Sequence, residues 1–391
     1  MLNCKITDIK LMTLRDADTP PWNLIRVDTD QGVWGLGEAY WGYGYRGTLE
    51  KQLKPLLIGE NPLDVDRLYT KMGFHSGGAH SISGLVVSVM SGIEIALWDL
   101  AGKLTGLPVY RLLGGKFHDK IRLYRTGNPA HMESLECWKE YADKLCGQGY
   151  TAIKTIDVEG LPARYDPNLS EPGHGKLNRR LTALDQKRAE QIMTNIRLAF
   201  GEDYDVAVHC HWALDLRDSM ELARRMAPYH PIWLEDPLPV PFSSAWVDLT
   251  HGSDVPICTG ENLYTKMEFR PFIEERGCDI VQPDIPKAGG LLETKRIADM
   301  ADTHLLQICA HNASSSVGYI ASAHVASTIR GFYMMERAGY EWPWLADLIG
   351  YDHPVFENGY IRVPDGPGLG ITLNGEVAKQ HLAEGETYWG D

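Results

Sequence analysis

The chain has 391 residues, a length that suits one large domain with a smaller one, or two domains of medium size. Hydrophobic residues make up 44% and charged residues 23%, as is usual for a soluble globular protein, and no run of 18 or more apolar residues predicts a membrane-spanning helix. The net charge of −14 argues against nucleic acid and anionic membranes as partners, but it allows an anionic small substrate, because a bound metal or a cationic pocket can reverse the local field.

The first 120 residues predict an N-terminal α+β domain. Antiparallel strands are expected over KITDIKLMTLR and over WNLIRVDTDQGVWGLGEAYWG, which a DTDQG turn divides. Helices are expected over LEKQLKPLLIGENPLDVDRLYTKM and over VVSVMSGIEIALWDLAGKLTG, which has apolar residues at helical spacing and a glycine at its end.

From residue 121 onward, short apolar runs alternate with amphipathic helices, which is typical of βαβ units and a parallel sheet. About eight such runs occur, and they fit a TIM-type barrel over residues 121–370, followed by a C-terminal segment over 371–391 that returns to the first domain. The runs are IRLYRTG, TAIKTID, DVAVHCHW, PIWLEDP, VPICTGEN, DIVQPDIPK, LLQICAHN and GFYMMER. The stretch 159–177 is rich in Pro, Gly and Asn and predicts a functional loop or lid over the barrel mouth.

Seven cysteines are scattered along the chain, in an odd number and without a CxxC motif. This pattern favours free thiols over a disulfide framework. The charged N-terminus, MLNCKITDIKLMTLRD, lacks the apolar core of a signal peptide. We therefore expect a protein of the reducing cytoplasm.

Polar side chains stand at the end of the barrel runs, from the second run onward. Functional groups of such barrels collect where strands end and βα loops begin. The positions 209, 235, 261, 284 and 311 are separated by 26, 26, 23 and 27 residues, about one strand–helix unit each, so these points converge on one mouth. The residues are Lys154, His209, His211, Glu235, Glu261, Asp284, His311 and Glu336.

Two kinds of chemistry are consistent with this convergence. Two carboxylates and a histidine from adjacent strands, here Glu235, Glu261 and His209, suit a divalent-metal site. Asp284 and His311 suit an oriented carboxylate–imidazole pair that acts as a general base near neutral pH. Any one of these residues has an ordinary structural interpretation, such as a solvated loop carboxylate, so the conjunction at unit spacing favours function.

Together these motifs resemble the enolase superfamily, and within it the mandelate racemase subgroup. The barrel motifs are Lys154 in TAIKTID, WLEDP, TGEN, QPDIPKAGG, AHN and MMER. VDTDQGVWGLGEA and IEIALWDLAGKLTGLPVYRLLGG resemble the family's capping domain, and VPDGPGLGITLN resembles its C-terminal end. The resemblance covers nearly the whole chain and implies an α+β capping domain followed by a modified TIM barrel, (β/α)₇β.

The resemblance also implies a reaction. The family binds Mg²⁺ through three acidic residues on successive strands, removes the proton α to a carboxylate and stabilises the enediolate with the metal and cationic groups. By resemblance, Glu235 and Glu261 are the second and third metal ligands. His311 is then the base, Asp284 orients it, and Glu336 hydrogen-bonds the substrate carboxylate.

Two residues indicate the acid-sugar dehydratases, of the galactonate or mannonate type, rather than the racemases. Asn312 directly follows the proposed base, as in that group. Its members also often carry a histidine two positions after the first metal ligand, as the acid that protonates the leaving hydroxyl, and His211 stands there.

The first departure from the family pattern lies on the second barrel strand. Racemases of this group carry K-x-K there, whereas this chain has Lys154-Thr155-Ile156. Since Ile156 cannot take a proton, a two-base racemase is disfavoured. Lys154 can still neutralise the substrate carboxylate, and a structural pairing with a ligand glutamate is equally consistent.

The second departure is His209, which stands where the family places the aspartate that is its first ligand. Strand periodicity puts His209 and His211 on one face and Cys210 on the other, so one imidazole can ligate and the other can act. The exchange changes the ligand charge from −3 to −2, and imidazole suits Zn, Fe, Ni or Mn-like sites better than Mg²⁺. We expect a divalent metal, Mg²⁺ by resemblance, with another ion, weak binding or an impaired site as alternatives.

The leading hypothesis is a metal-dependent dehydratase of an aldonate-type sugar acid that forms a 2-keto-3-deoxy acid. The alternatives are an epimerase, racemase or lactone cycloisomerase of the same superfamily, and a metal-impaired binding or regulatory member. In this family cap loops select the substrate, which points to the segments around Pro20–Trp22 and Trp41–Arg46, with Trp22, Tyr45 and Arg46 as candidates, together with Asn312 in the barrel. Trp22 and Tyr45 are equally consistent with packing of the cap on the barrel, and a homo-oligomer is expected by resemblance only.

Overall fold

The computed structural model of the protein describes residues 4–16, 21–75, 82–158, 181–339 and 342–390. Pro20 and the proposed lid at 159–177 lie outside these residues. Within them the chain forms an N-terminal α+β cap, a closed parallel barrel and a C-terminal segment.

The cap combines a three-stranded antiparallel sheet with a group of helices, as the sequence predicts. Its strands are β1 (Ile6–Leu14), β2 (Trp22–Thr29) and β3 (Trp34–Ala39), paired in that order. Its helices are α1 (Tyr45–Thr48), α2 (Lys54–Leu57), α3 (Val65–His75), α4 (Gly84–Thr105) and α5 (Val109–Leu112), with one π-helical stretch at Leu49–Leu53.

The long helix α4 is the core of the cap. It is apolar enough to cross a membrane by length and composition, with a mean hydropathy of 1.6, but 78% of that stretch is buried inside the protein. Strand β3 lies directly against it. A Cβ at Gly35 would stand 2.0 Å from the carbonyl oxygen of Ala96, and one at Gly37 would stand 2.1 Å from that of Gly92, so only glycine permits this approach.

Eight parallel strands form the barrel, and pairing of its last strand with its first closes it, with Met335 opposite Leu123. The strands are β4 (Lys120–Thr126), β5 (Ala152–Asp157), β6 (Asp205–His209), β7 (Trp233–Glu235), β8 (Ile257–Thr259), β9 (Ile280–Val281), β10 (Gln307–Ala310) and β11 (Phe332–Arg337). The predicted fold class, an α+β cap followed by a (β/α)₇β barrel, is confirmed.

A helix on the outside follows each barrel strand up to β10, because the crossover between parallel strands covers the sheet face. These helices are α6 (Leu135–Gly147), α7 (Ala183–Phe200), α8 (Leu216–Met226), α9 (Ser244–Gly252), α10 (Thr265–Glu274), α11 (Ile285–Ala288), α12 (Gly290–Thr303) and α13 (Ser316–Ser327), where α11 is a single turn before α12. 3₁₀ turns stand at Ala227–Tyr229 and Tyr388–Gly390.

The C-terminal segment runs back along the cap. After α14 (Trp344–Asp347), β12 (Ile349–Gly350) pairs with β14 (Thr372–Leu373), and β13 (Tyr360–Arg362) adds antiparallel to β4. Helix α15 (Gly375–Gln380) follows. Backbone hydrogen bonds then join the chain at residues 381–383 to the end of β1, at 2.8 and 2.9 Å.

Buried carboxylates of the cap bind the N-termini of barrel helices. Glu38, at the end of β3, is fully buried and accepts hydrogen bonds from the backbone N–H of Ser315 and Gly318, both at 2.8 Å, and from the Ser315 hydroxyl. Glu94, on α4, accepts hydrogen bonds from two backbone N–H groups in the first turn of α12, at 2.8 and 3.0 Å. These carboxylates occupy the positive ends of the helix dipoles, and they fix the cap over the carboxyl ends of the barrel strands.

We expect Glu38→Ala to lower the free energy of unfolding by about 3 kcal/mol or more, because three buried donors lose their acceptor. Glu38→Gln keeps one acceptor oxygen and should lose about 1–2 kcal/mol. Urea unfolding followed by circular dichroism measures both. Glu376→Ala, which removes an 81% exposed side chain, is the control and should change stability by less than about 0.5 kcal/mol. Equal stability of Glu38→Ala and wild type would contradict this account of cap docking.

Candidate active site

The side chains at the barrel mouth are positioned by a layer of interior residues below them. Each barrel strand gives one residue to that layer: Tyr124, Ala152, Ala207, Trp233, Cys258, Ile280, Cys309 and Met334. Side chains alternate along a strand, so a residue two positions further on also faces the interior. The residues at those positions are Thr126, Lys154, His209, Glu235, Gln282, His311 and Glu336.

Strand β8 departs from this alternation. Two positions after Cys258 stands Gly260, whose φ is +144° and whose Cβ would lie 2.8 Å from the backbone nitrogen of Gln282. Glycine is therefore required there, and the change of direction brings Glu261, the next residue, to the mouth.

These residues open onto a cavity of about 600 Å³ between the barrel and the cap. The barrel contributes Thr126, Lys154, His209, His211, Trp212, Glu261, Asn262, Tyr264, Lys287, His311, Ala313 and Glu336. The cap contributes Tyr40, Trp41, Gly42, Tyr43, Tyr45, Leu85 and Ser88. Glu235 and Asp284 lie directly behind this lining, fully buried.

Lys154 lies between two carboxylates. Its ammonium is 1% exposed, donates a hydrogen bond to Glu235 Oε1 and lies 3.1 Å from Glu336 Oε1. Burial would lower the pKa of Lys154, but the surrounding carboxylates hold it well above the usual range. Burial would likewise raise the pKa of Glu336, but Lys154 and His311 hold it below its usual value. Both groups are therefore charged.

His311 and Asp284 form a hydrogen-bonded pair, with His311 Nδ1 2.7 Å from Asp284 Oδ2. The other ring nitrogen, Nε2, faces the mouth, 3.5 Å from Glu261 Oε2 and 3.6 Å from Glu336 Oε2. Burial by itself would lower the pKa of His311, but Glu261, Glu336 and the Asp284 hydrogen bond raise it to about 9. Asp284 therefore fixes the ring and leaves Nε2 for the cavity.

His209 ends strand β6, and its pKa is shifted in the opposite direction from that of His311. Burial, followed by Lys154 and the imidazoles of His211 and His311, holds the pKa of His209 well below its usual value. Its Nε2 is buried and has no hydrogen-bond partner among the described residues. It lies 3.7 Å from a Glu235 oxygen and 4.0 Å from a Glu261 oxygen. A neutral imidazole with an unpartnered ring nitrogen beside two carboxylates suits a divalent cation.

The donor set at this point fits the metal that the sequence predicts. Ligand atoms of His209, Glu235, Asp236 and Glu261 all lie within 4.8 Å of one another. A second set, His209, His211 and Glu261, meets the same condition. The two sets share His209 and Glu261.

His211 lies at the mouth, but for a different reason from the one the sequence suggests. Strand β6 ends at His209, so strand periodicity does not extend to His211. His211 and Trp212 instead have left-handed backbones, with φ of 54° and 48°. This turn brings the His209 and His211 rings to a centroid distance of 4.3 Å.

Comparison with known proteins shows the family. Residues 138–377 match the family described as enolase C-terminal domain-like, and residues 8–114 match the mandelate racemase / muconate lactonizing enzyme, N-terminal domain. The chain belongs to the mandelate racemase/muconate lactonizing enzyme group of the enolase superfamily.

Several relatives of this member of the group have named activities. It is 39% identical to D-xylonate dehydratase of Haloferax volcanii, over 98% of this chain and 90% of that enzyme. It is 29% identical to D-galactonate dehydratase of Ralstonia pickettii, over 94% and 92% of the two chains. A crystal structure of a mandelate racemase/muconate lactonizing enzyme-like protein from Rubrobacter xylanophilus matches with a TM-score of 0.88 and 34% identity, over 99% of this chain and 100% of that one.

Three residues expected to bind substrate face elsewhere in this family member. Trp22 is fully buried, packs on Trp342 and Trp344, and donates its indole hydrogen bond to a backbone carbonyl. Arg46 contacts Glu386 of the C-terminal segment and so ties that segment to the cap.

The side chain of Asn312 is also buried and lies within the barrel wall. Its amide nitrogen bonds the Ser322 hydroxyl at 3.0 Å, and its oxygen accepts from the Ser314 backbone N–H at 3.0 Å. These are packing and loop-shaping contacts. Tyr45, by contrast, lines the cavity.

Other lining residues were not predicted from the sequence. Tyr40 extends from the end of β3, and its backbone N–H bonds the carbonyl of Pro286 at 3.1 Å. Lys287, three residues after Asp284, is 6% exposed, bonds Asn262 Oδ1 at 2.6 Å and lies over the Tyr40 ring. Asp236 of the metal cluster was not predicted either. The only sequence signals for Lys287 and Asp236 were their positions within QPDIPKAGG and WLEDP.

We expect His209→Ala to weaken Mn²⁺ binding by at least about tenfold, because the site loses a donor. His209→Asp should bind Mg²⁺ more tightly than wild type does, since carboxylate oxygen suits Mg²⁺ better than imidazole. Titration calorimetry on metal-free protein measures both affinities. The exposed His251→Ala is the control. Wild-type affinity for both ions in His209→Ala would show that His209 holds no metal.

Proposed function

We propose that the protein is a dehydratase of an aldonate-type sugar acid, converting it to a 2-keto-3-deoxy acid. The observation that carries the proposal is that two imidazoles, His311 held by Asp284 and His211 on a left-handed turn, open onto one cavity beside a cation-binding cluster. Elimination of water needs a base for the C2 proton and an acid for the 3-hydroxyl. The relatives named xylonate, galactonate and gluconate dehydratases support the same reaction.

A divalent metal held by His209, Glu235 and Glu261 would lower the energy of the negative charge that develops on the substrate as its α proton leaves. Mg²⁺ is expected from the family, and the imidazole of His209 makes Mn²⁺ an alternative. Lys154, paired with Glu235 and Glu336, adds a fixed positive charge beside the place for an anionic substrate.

His311 Nε2 takes the proton from C2. Asp284 holds Nδ1, so the ring presents the correct nitrogen and the proton-bearing ring is stabilised. His211 donates a proton to the 3-hydroxyl, which leaves as water, and the C2–C3 enol then tautomerises to the 2-keto-3-deoxy acid. Glu336 contacts Thr126 and Lys154. It can contact the substrate carboxylate when a shared proton or the charge of Lys154 offsets the repulsion between the two carboxylates.

The second candidate, a two-base epimerase or racemase, is disfavoured by the state of Lys154. Its ammonium is buried and held by two carboxylates, and its pKa is well above the usual range. A base must be able to lose its proton near neutral pH. Lys154 therefore acts as a charge and not as the partner base of His311.

The surroundings of the site suit a small polyhydroxy acid. A cavity of about 600 Å³ is within the range of small-molecule sites, and its wall combines aromatic rings with charged groups.

A cytoplasmic location is consistent with the seven free cysteines. A homo-oligomer is proposed from the family alone.

The proposal is tested by incubating the metal-loaded protein with a panel of aldonates, xylonate, galactonate and gluconate included, and assaying 2-keto-3-deoxy acids. We expect turnover with at least one. In D₂O, His211→Asn should still exchange the C2 proton but dehydrate about 100-fold more slowly, whereas His311→Asn should lose both reactions. C2 exchange without any dehydration by wild type would instead identify an epimerase. No exchange and no turnover would contradict the proposed reaction.

We expect Asp284→Asn to shift the pH profile of kcat/KM. Asp284 is one of the groups that raise the pKa of His311, so its removal lowers that pKa. Because the base must be neutral, activity rises with pH through the pKa of His311, and this limb moves to lower pH in the variant. kcat should also fall roughly 100-fold, since the base is weaker and less well oriented. An unchanged limb would show that Asp284 does not tune His311; Asp254→Asn, at an exposed site, is the control.

A further inference from the structure

Asp236, the residue directly after the proposed ligand Glu235, is a buried carboxylate with one unused oxygen. It is 3% exposed. One oxygen, Oδ1, accepts a hydrogen bond from the Thr259 hydroxyl at 2.5 Å. The other, Oδ2, is buried without a hydrogen-bond partner among the described residues. An unpaired buried carboxylate oxygen is costly, so it requires an explanation.

The charges around Asp236 increase that cost. Glu261 and Glu235 are the charged groups that act on it most strongly, and both are acidic. A cation beside the three carboxylates would offset their repulsion and would supply the partner that Oδ2 lacks.

The geometry is that of ligands around one ion. A ligand atom from each of His209, Glu235, Asp236 and Glu261 lies within 4.8 Å of the other three. Oxygen and nitrogen ligands stand about 2.0–2.6 Å from a divalent ion, so even ligands on opposite sides of it are only about 4–5 Å apart.

The backbone holds Asp236 in this place. Its φ is +46°, a left-handed conformation that is unfavourable for a residue with a side chain. Its N–H bonds the carbonyl of Cys258 at 2.9 Å, and its carbonyl accepts from the N–H of Trp212 at 2.5 Å. The turn after β6 and strand β8 therefore fix it from both sides.

We propose that Asp236 is a direct ligand of the metal, together with His209, Glu235 and Glu261, and that it restores the negative charge lost by having His209 at the first ligand position. The ligand set then carries three carboxylates and one neutral imidazole. His211 stays outside the set, in its proposed role as the acid. The inference rests on the metal site of the proposed function, but not on the reaction.

The competing arrangement uses His211 in place of Glu235 and Asp236, with His209 and Glu261 common to both. It leaves Asp236 Oδ2 without a partner among the described residues. It also uses His211 as a ligand, so a single pair of variants separates the two arrangements.

The test is Mn²⁺ binding to metal-free wild type, Asp236→Asn and His211→Asn, by titration calorimetry and by the paramagnetic resonance signal of free Mn²⁺. We expect Asp236→Asn to bind Mn²⁺ about 10–100-fold more weakly and His211→Asn to bind it as wild type does. Weakened binding in His211→Asn with unchanged binding in Asp236→Asn would overturn the proposal.

Thermal unfolding separates a ligand from a structural residue. Without metal, Asp236→Asn should be as stable as wild type or more so, because the buried charge is gone, and Mn²⁺ should raise its melting temperature less. Thr259→Val removes only the hydrogen bond to Oδ1 and should bind Mn²⁺ within about threefold of wild type. A metal-free Asp236→Asn that is less stable than wild type, with unchanged Mn²⁺ affinity, would show that the hydrogen bond to Thr259 is the whole role of Asp236.

None of these measurements needs a substrate. Loss of Mn²⁺ affinity in Asp236→Asn supports the ligand assignment even if no aldonate is dehydrated, and that second result would count only against the proposed reaction. Conversely, aldonate turnover with unchanged Mn²⁺ affinity in Asp236→Asn would overturn the ligand assignment alone.

Discussion

The ammonium of Lys154 lies between the carboxylates of Glu235 and Glu336, and the arrangement of the barrel mouth depends on it. Parallel strands bring their carboxyl ends together, so acidic residues at equivalent points are forced into one small space. Such groups lose their hydration and repel each other. Lys154 is 1% exposed and compensates two of them from below. A buried charge this well paired is expensive to remove, because its partners would be left uncompensated.

A second lysine, Lys287 on the barrel helix α11, lies near the carboxylates Glu261 and Asp284. It is held by Asn262 and lies over the ring of Tyr40, a cap residue that follows β3. The cap is in turn held in place by Glu38, which binds the N-terminus of the helix that follows β10. The same loop region that carries the proposed base is therefore docked to the cap. The position of the cap and the geometry of the site therefore depend on the same contacts.

The sequence predicted the fold, and the convergence of the barrel-mouth residues on one cavity, because both depend on repetition. A strand–helix unit has a nearly constant length, so equally spaced residues such as Glu235 and Glu261 reach the same mouth whatever their neighbours are. The direction in which a side chain points from a loop, or across the contact between two domains, follows no such period. Trp22 and Arg46 were assigned to substrate because of their place in the cap, yet the first packs inside and the second contacts the C-terminal segment. Tyr40 was missed for the same reason, since only docking of the cap brings it over the site.

His209, the last residue of β6, and His311, directly after β10, show how position divides roles between identical side chains. Both are largely buried, and burial alone would lower the pKa of each. His209 lies 3.7 and 4.0 Å from oxygens of Glu235 and Glu261, but burial, Lys154 and two other imidazoles hold its pKa well below the usual value, which favours the neutral form that a ligand needs. His311 faces Glu261, Glu336 and Asp284, so burial is overcome and it binds a proton strongly. A cation held by Glu261 would weaken that attraction and bring His311 toward the range in which a base works near neutral pH. The low pKa of His209 and the raised pKa of His311 thus follow from the different charged groups that lie closest to each ring.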